Sequence, residues 1–265
     1  MIAFAALCGC SSFGTSTSAV DEAGVPVEAG VAPIVDAGHS DGARNSGGPR
    51  DGLVLALDFE EADPTIARDS SGAANDGTIF GATRVPGVHG NALAFTSVSS
   101  TGSSLLVPSS SSLDIGGPEL TIAFWLRIEL PIGSGDQVVL SKTWEAGSMV
   151  TPYHQFGVEL NASSKTLQLF LGTNASTEPE RAVITPAFGT WVHIAWVAGD
   201  GRMTGFVNGS GSSPEVLAAP IERRGNGLYL GQDVAGGQQF VGALDEVRIY
   251  NRALTPSEVS LLAAR

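Results

Sequence analysis

The stretch Gly242–Leu254 constrains the fold more than any other part of the sequence, because it reads as a strand of alternating residues that leads into a helix start. Asp245 shares its parity with Val247 and Ile249, so an extended strand would place all three side chains on one face. The opposite, polar face would carry Glu246, Arg248 and Tyr250. A carboxylate on an apolar face is costly unless a metal ion, backbone N–H groups or a cation compensates it. The stretch therefore predicts a final strand with a buried acid that needs a partner.

A helix start follows directly in the segment Thr255-Pro256-Ser257-Glu258. Thr255 can cap the helix, Pro256 suits its first position, and Glu258 completes a capping box. The segment predicts one short closing helix over Pro256–Ala263.

Alternating hydrophobic residues indicate strands through most of the chain before this helix. Leu53–Glu61 alternates as a half-buried strand does, whereas Leu120–Ile128 and Trp191–Val197 carry bulky residues on both faces and are expected to be central strands. Many short strands separated by turns, with helix only at the end, predict an all-β sandwich.

Charge and cysteine content exclude several functions. Fourteen Lys and Arg residues against 27 Asp and Glu residues give a formal net charge of −13, which argues against binding nucleic acid or anionic lipid through a basic patch. An acidic surface is compatible with calcium and with neutral sugars, although it can also serve solubility alone. The two cysteines, Cys8 and Cys10, both precede the predicted domain, so no disulfide is expected inside it.

The N-terminal region suggests surface display. Ile2–Gly9 is apolar, and Leu7-Cys8-Gly9-Cys10 looks like a bacterial lipobox with Cys10 as the lipidated residue, although an apolar N-terminus can also arise by chance. Residues 1–10 are therefore predicted to be a lipoprotein signal peptide, and residues 11–51, which lack hydrophobic periodicity, a disordered linker. Residues 52–265 would form the domain, held extracytoplasmically at the cell surface or outer membrane by the lipid alone.

Several short motifs follow one another along the sequence in a characteristic order. The segment from Asp245 to Leu254 with its Thr-Pro-Ser-Glu helix start is preceded by Asp69-Ser70-Ser71-Gly72, Asn75-Asp76-Gly77-Thr78, Pro86–Phe95 and Phe206-Val207-Asn208-Gly209. This series resembles the laminin-G-like, concanavalin A-like lectin/glucanase domains of bacterial surface lipoproteins over roughly residues 52–265. The resemblance implies a two-sheet antiparallel jelly-roll sandwich. It does not define the function, because this fold hosts enzymes, lectins and adhesion modules.

The resemblance also implies a structural calcium ion between the first loop and the last strand. Carried onto this sequence, Asp69 and Asp245 are the expected carboxylate ligands, with Glu60 or Asp76 next and Asn75 as a carbonyl donor. Ca²⁺ prefers such oxygen ligands. The alternative is that Asp69 caps a turn and Asp245 accepts backbone N–H bonds, and the sequence leaves both open.

A glycan-binding face is the second candidate site. Sugars stack on aromatic rings and hydrogen-bond to planar polar groups, and such groups occur in mid-chain at Trp125, Trp144, Tyr153, His154 and Gln155. Trp144 could instead shield a sheet edge. Trp125 and Trp191 are expected to pack against the sheet.

The sequence argues against catalysis. The Glu-x-Asp-x-x-Glu pattern of related glucanases is absent, and Asp245 and Glu246 are neighbours that a strand would point to opposite faces. His193 lies mid-strand and is expected to be a satisfied sheet histidine. The sequence therefore predicts a non-enzymatic, surface-anchored binding module with glycan as the leading ligand. The alternative is a structural or adhesion module whose loops contact a cell-surface protein.

Overall fold

A computed structural model describes residues 48–97, 102–133, 135–143, 154–175 and 179–264. The predictions for Cys10, Trp144 and Tyr153 lie outside these residues, as do those for the signal peptide and most of the linker.

The described residues form two antiparallel sheets. The strands are β1 Leu53–Leu57, β2 Ile66–Ala67, β3 Gly77–Phe80, β4 Thr83–Pro86, β5 Asn91–Phe95, β6 Ser104–Val107, β7 Leu120–Ile128, β8 Gln137–Thr143, β9 His154–Asn161, β10 Thr166–Leu171, β11 Glu180–Ile184, β12 Val192–Gly199, β13 Arg202–Val207, β14 Ser210–Gly211, β15 Glu215–Val216, β16 Leu228–Leu230 and β17 Gly242–Tyr250. The A sheet has the order β14-β13-β12-β7-β17-β5-β4, with β1 paired to β17 and β15 paired to β13. The B sheet has the order β11-β10-β9-β8-β16-β6-β3-β2. The predicted all-β sandwich is confirmed.

The core lies between the two sheets and is built from alternate residues of the strands. Strand β7 sits between β12 and β17, as predicted for a central strand, and sends Ile122, Phe124 and Leu126 into the core. From the B sheet, β9 contributes Phe156 and Val158. All five side chains are essentially inaccessible to solvent, and burying each contributes about 1.5–3 kcal/mol.

A β-bulge in β17 overturns the predicted shared face of Asp245, Val247 and Ile249. Leu244 pairs with the core residue Leu126, and the register shifts between Asp245 and Arg248, where Glu246 has a φ of +50°. One extra residue in a strand reverses the facing of everything after it. Val247 and Ile249 therefore lie in the core, whereas Asp245 points to the outer face of the A sheet.

The closing helix, α1, spans Pro256–Ala263, as predicted. The capping box is formed, because the Thr255 hydroxyl accepts from the Glu258 N–H at 3.3 Å and the Glu258 carboxylate accepts from the Thr255 N–H at 2.8 Å. The helix packs Val259 and Leu262 onto the outer face of the A sheet, in a cluster that includes Tyr250. Tyr250 is consequently buried, so this part of the predicted polar face is covered.

Among the described residues, no helix combines the length and the apolar character needed to cross a membrane.

Candidate functional site

The predicted calcium ligands fall into two groups, and the first surrounds Asp69. The Asp69 Oδ1 atom accepts from the backbone N–H groups of Ala56 at 2.8 Å and Ser71 at 2.9 Å, and its Oδ2 atom accepts from the Asn75 N–H at 2.9 Å. Asp76 accepts from the Asp69 N–H at 2.8 Å. These bonds join the first loop to strand β1.

The second group, Asp245 and Glu60, holds the turn between β4 and β5. The Asp245 Oδ2 atom accepts from the N–H groups of Val88 at 2.8 Å and His89 at 3.0 Å, and its Oδ1 atom accepts from the Glu246 N–H at 2.7 Å. Glu60 accepts from the N–H of Asn91 in the same turn at 2.7 Å. Asp245 thus fastens the final strand to this turn rather than to the Asp69 loop.

Asp245 is fully buried, and its surroundings perturb its ionisation. Burial raises the pKa of Asp245 to about 6, and the Glu246 charge adds to this rise, while the N–H bonds from His89, Val88 and Glu246 oppose it. Hydrogen bonds to a carboxylate favour its charged form, whereas loss of water disfavours it. An ionised Asp245 is therefore costly at neutral pH.

In the part of the chain that the structure describes, His, Cys, Asp and Glu side chains form no group of three or more that could hold a metal ion. Asp69 and Asp245 accept backbone N–H bonds in different turns, which is the arrangement of the alternative left open by the sequence. The described residues do not assemble the predicted ligand set, and calcium binding stays a prediction.

The two described residues of the predicted glycan site, His154 and Gln155, point to opposite sides of the B sheet. The register between β8 and β9 shifts between Lys142 and Thr143, which turns Gln155 inward. Its side chain is fully buried and its amide donates to the Ile115 carbonyl, so Gln155 is absent from the outer face. The His154 ring instead stacks on Phe170 with 5.4 Å between ring centroids.

His154 belongs to a set of side chains that crosses the outer face of the B sheet. The strand register aligns Tyr229, Ser141, Gly157, Phe170 and Arg181 in one row, and we call this row together with His154 the B-sheet face. The Arg181 Cζ atom lies 4.8 Å from the centre of the Phe170 ring. Gly157 makes room for His154, because a Cβ atom there would lie 3.3 Å from the His154 Nδ1 atom.

Two ionisable groups on this face have shifted pKa values. Burial lowers the pKa of His154 to about 4, so its imidazole is neutral at neutral pH. Burial raises the pKa of Glu159 to about 7, with Asp136 and Asp233 adding to the rise and Arg181 opposing it. Glu159 lies two residues from Gly157 on the same face. The site thus offers stacked planar groups beside a carboxyl that exchanges its proton near neutrality.

Sequence reasoning did not identify Phe170, Arg181 or Tyr229 as members of this face. The alternation of β10 places Phe170 opposite the core residues Leu169 and Leu171, and that parity was an available signal. Which residues join Phe170 depends on the pairing of strands distant in the chain.

The structure corrects the expectation for His193. This side chain lies on the outer face of the A sheet and is only 2% exposed, yet its Nδ1 atom has no hydrogen-bond partner among the described residues. It is therefore not a fully satisfied sheet histidine.

The sequence of this chain is similar to those of a known family and of several known proteins. The model of the concanavalin A-like lectin/glucanases superfamily, in its laminin G form, matches residues 99–260. The chain is 26% identical over 217 residues to the adhesion G-protein coupled receptor V1 of Danio rerio, covering 80% of this chain and 3% of the receptor. It is 30% identical over 161 residues to neuronal pentraxin-2 of Cavia porcellus, covering 55% of this chain and 35% of that protein. The chain therefore spans a small part of the length of these curated relatives.

Solved structures with similar folds include binding domains. Domain 4 of AbnA, an extracellular arabinanase of Geobacillus stearothermophilus solved with arabinotriose, has a TM-score of 0.58 at 19% identity over 80% of this chain and 98% of that one. The binding domain of botulinum neurotoxin DC, solved with rat synaptotagmin II, has a TM-score of 0.65 at 12% identity over 81% of this chain and 52% of that one. At these identities the likeness is one of fold alone.

Proposed function

Since this chain belongs to the laminin G-like family of the concanavalin A-like lectin/glucanases superfamily, we propose that it is a non-enzymatic binding module whose ligand is a carbohydrate. The observation that carries this proposal is the stack of His154 on Phe170, with Arg181 on the same ring, at the outer face of the B sheet.

The chemistry of the B-sheet face suits a sugar. Pyranose and furanose rings present C–H surfaces that pack on planar groups, and their hydroxyls need neighbouring donors and acceptors. Arg181 supplies donors only, whereas the neutral ring of His154 carries one donor and one acceptor nitrogen, and the carboxyl of Glu159 donates or accepts according to its protonation. These groups stand on strands rather than on loops, so they are positioned before any ligand arrives.

The competing function is adhesion to a protein partner. The named ligands of the similar folds include both arabinotriose and synaptotagmin, so fold likeness does not discriminate between the two classes. The closely stacked, strand-borne planar groups of the B-sheet face favour a small, ring-shaped ligand over a broad protein surface.

We also propose surface display through a lipid on Cys10, with residues 11–51 as the spacer. Expression in a bacterial host with labelled palmitate tests this part, and Cys10→Ala should abolish both the label and membrane retention. An unlabelled wild-type protein would refute the anchor without affecting the binding proposal.

The calcium prediction has its own test: calcium should raise the thermal midpoint, EDTA should reverse the gain, and Asp245→Ala should remove it.

The binding proposal is tested on an array of neutral oligosaccharides. Arg181→Ala and His154→Ala should each weaken the wild-type signal about tenfold or more, because each removes a planar group from the face. Arg202→Ala is the matched control, since Arg202 is also an exposed arginine and lies at the start of β13 in the other sheet. Array signals at background for the wild-type protein, together with capture of a purified surface protein, would favour the adhesion function instead.

A further inference from the structure

Strand β11, Glu180–Ile184, lies at the end of the B sheet and is paired on one side only. Its backbone pairs with β10, where Val183 lies opposite Gln168, and the described residues form no backbone hydrogen bond on its other side. In an antiparallel strand every second residue directs its N–H and C=O groups away from the partner strand. β11 therefore presents backbone groups with which a further strand can pair.

The opposite rim of the sandwich is covered by the chain itself, through Arg84 on β4. Its guanidinium donates to the carbonyls of Phe59 at 2.8 Å, Asp63 at 2.7 Å and Ile66 at 2.8 Å, and it is ion-paired with Glu61 at 2.9 Å. These bonds hold residues 59–66 beside β4. The two rims therefore differ, and in the part of the chain that the structure describes no segment covers β11 in this way.

Two exposed valines lie at the rim that contains β11. Val183 on β11 is 46% exposed, and Val216 on β15 is 66% exposed. Strands β13 and β15 of the A sheet pack beside β11, and Gly205 of β13 leaves room for Ile184, because a Cβ atom there would overlap the Ile184 side chain. The rim thus combines unpaired backbone groups with apolar side chains from both sheets.

The charges at this rim suit a second copy of the same chain. The chain carries a formal net charge of −13, so electrostatic repulsion opposes most contacts between copies. At the rim, however, Glu180 and Arg181 of β11 and Arg202 and Glu215 of β13 and β15 carry charges that sum to zero. Strand β11 also contains neither lysine nor proline, which commonly block pairing at sheet edges. A second copy therefore meets no net charge of its own sign here.

We propose that two copies of this chain associate by antiparallel pairing of β11 with β11, about a two-fold axis at Val183. The two B sheets then form one continuous sheet, and the contact is isologous, as in most homodimers.

The position of the axis follows from the side chains of β11. A two-fold axis perpendicular to the sheet keeps both outer faces on the same side, so residues of the same face lie opposite each other. With the axis at Val183, the two valines pair and each Arg181 faces Thr185 of the second copy. On the inner face, Ala182 then lies opposite Ile184. An axis at Arg181 would set two guanidinium groups directly opposite each other, which destabilises a sheet, and an axis at Ala182 would set each guanidinium against a valine.

Pairing at β11 would also bring the two B-sheet faces side by side, since Arg181 belongs both to the strand and to the B-sheet face. Two linked sites raise overall avidity by about 10²–10⁴. This consequence rests on the proposed function, whereas the pairing itself does not, because it uses backbone groups and valines. Failure of the glycan array leaves the oligomeric state unaffected, and a monomeric protein leaves the array result unaffected.

Sedimentation equilibrium tests the association over about 1 µM to 1 mM protein, the range of weak interfaces. The full chain carries Cys8→Ala and Cys10→Ala, which remove lipid attachment and background thiols. Its mass should rise from that of one chain to twice that mass. Val183→Lys should weaken dimerisation about tenfold or more, because it sets two like charges opposite each other. Leu261→Lys is the matched control, since Leu261 is 58% exposed on α1 at the outer face of the other sheet, and it should associate like the parent chain.

Disulfide formation tests the register in the same background. Val183→Cys should give a covalent dimer on mild oxidation, because residues directly opposite in an antiparallel pair have Cα atoms about 4.5–5.5 Å apart, a distance that a disulfide spans. Thr185→Cys is the matched control, since its two copies would lie four residue positions apart, about 14 Å, and should not link.

A parent chain that stays monomeric at the highest concentration would overturn the proposal. Equal weakening by the two lysine variants would do the same, as would linking of Thr185→Cys in preference to Val183→Cys. Should Val183→Lys not fold, the two cysteine variants decide the question.

Discussion

Asp245 makes the sharpest stability prediction, because a fully buried carboxyl is held at the bulge of the final strand. Its pKa rises from 3.8 to about 6 on folding. Between these values the unfolded chain has released a proton that the folded protein retains, so the free energy of unfolding falls as pH rises through this window. A shift of about two units at about 1.4 kcal/mol each corresponds to a loss of about 3 kcal/mol between pH 3.8 and pH 7.

Asp245→Asn removes this titration while keeping most of the side-chain volume. The amide oxygen can still accept from Val88 and His89, but the amide nitrogen then faces the Glu246 N–H, which costs about 1–3 kcal/mol at every pH. The variant should therefore be less stable than wild type near pH 4, and the gap should close as pH approaches 7.

Urea unfolding of both proteins at half-unit pH steps measures the effect. The difference between the two stability curves is the quantity of interest, since Glu159, His154 and His193 titrate equally in both. Two curves that stay parallel from pH 4 to pH 7 would refute the reasoning. Repeating the series with calcium extends the test: an ion at Asp245 would flatten the wild-type curve and leave the variant unchanged.

Three further predictions concern other parts of the molecule. Lys142→Met should lower the free energy of unfolding by about 3–5 kcal/mol in urea, because the buried ammonium, 2.9 Å from Asp114, also bonds two backbone carbonyls that would lose their donor. Gly157→Ala should weaken glycan binding measured by calorimetry while shifting the thermal midpoint little, since the added methyl would lie 3.3 Å from the His154 Nδ1 atom and push the ring by a few tenths of an ångström; unchanged affinity would contradict the role given to this face. Glu258→Ala should cost about 1 kcal/mol in the same urea assay, because the side chain loses its bond from the Thr255 N–H and its ion pair with Arg252 at 2.6 Å, and a variant as stable as wild type would show that these two contacts do not stabilise α1.

The sequence determined the features whose physics is local. Alternating residues identified β7 over Leu120–Ile128 with its correct bounds, because successive side chains of a strand point to opposite faces. The helix Pro256–Ala263 was equally predictable, since its cap is formed by Thr255 and Glu258, which are close in the chain. Fold class follows from many such strands with a single short helix.

Only the tertiary structure decided the facing of Asp245 and the membership of the sites. The bulge places Glu246 at positive φ, a conformation that glycine favours, so the sequence contains no local signal for the bulge. The one extra residue in the strand places Asp245 on the other side of the sheet from Val247 and Ile249. His154 meets Phe170 because β9 and β10 pair in one particular register. Alternation assigns residues to faces within one strand, but pairing between strands selects their neighbours, and that selection depends on the packing of the whole core.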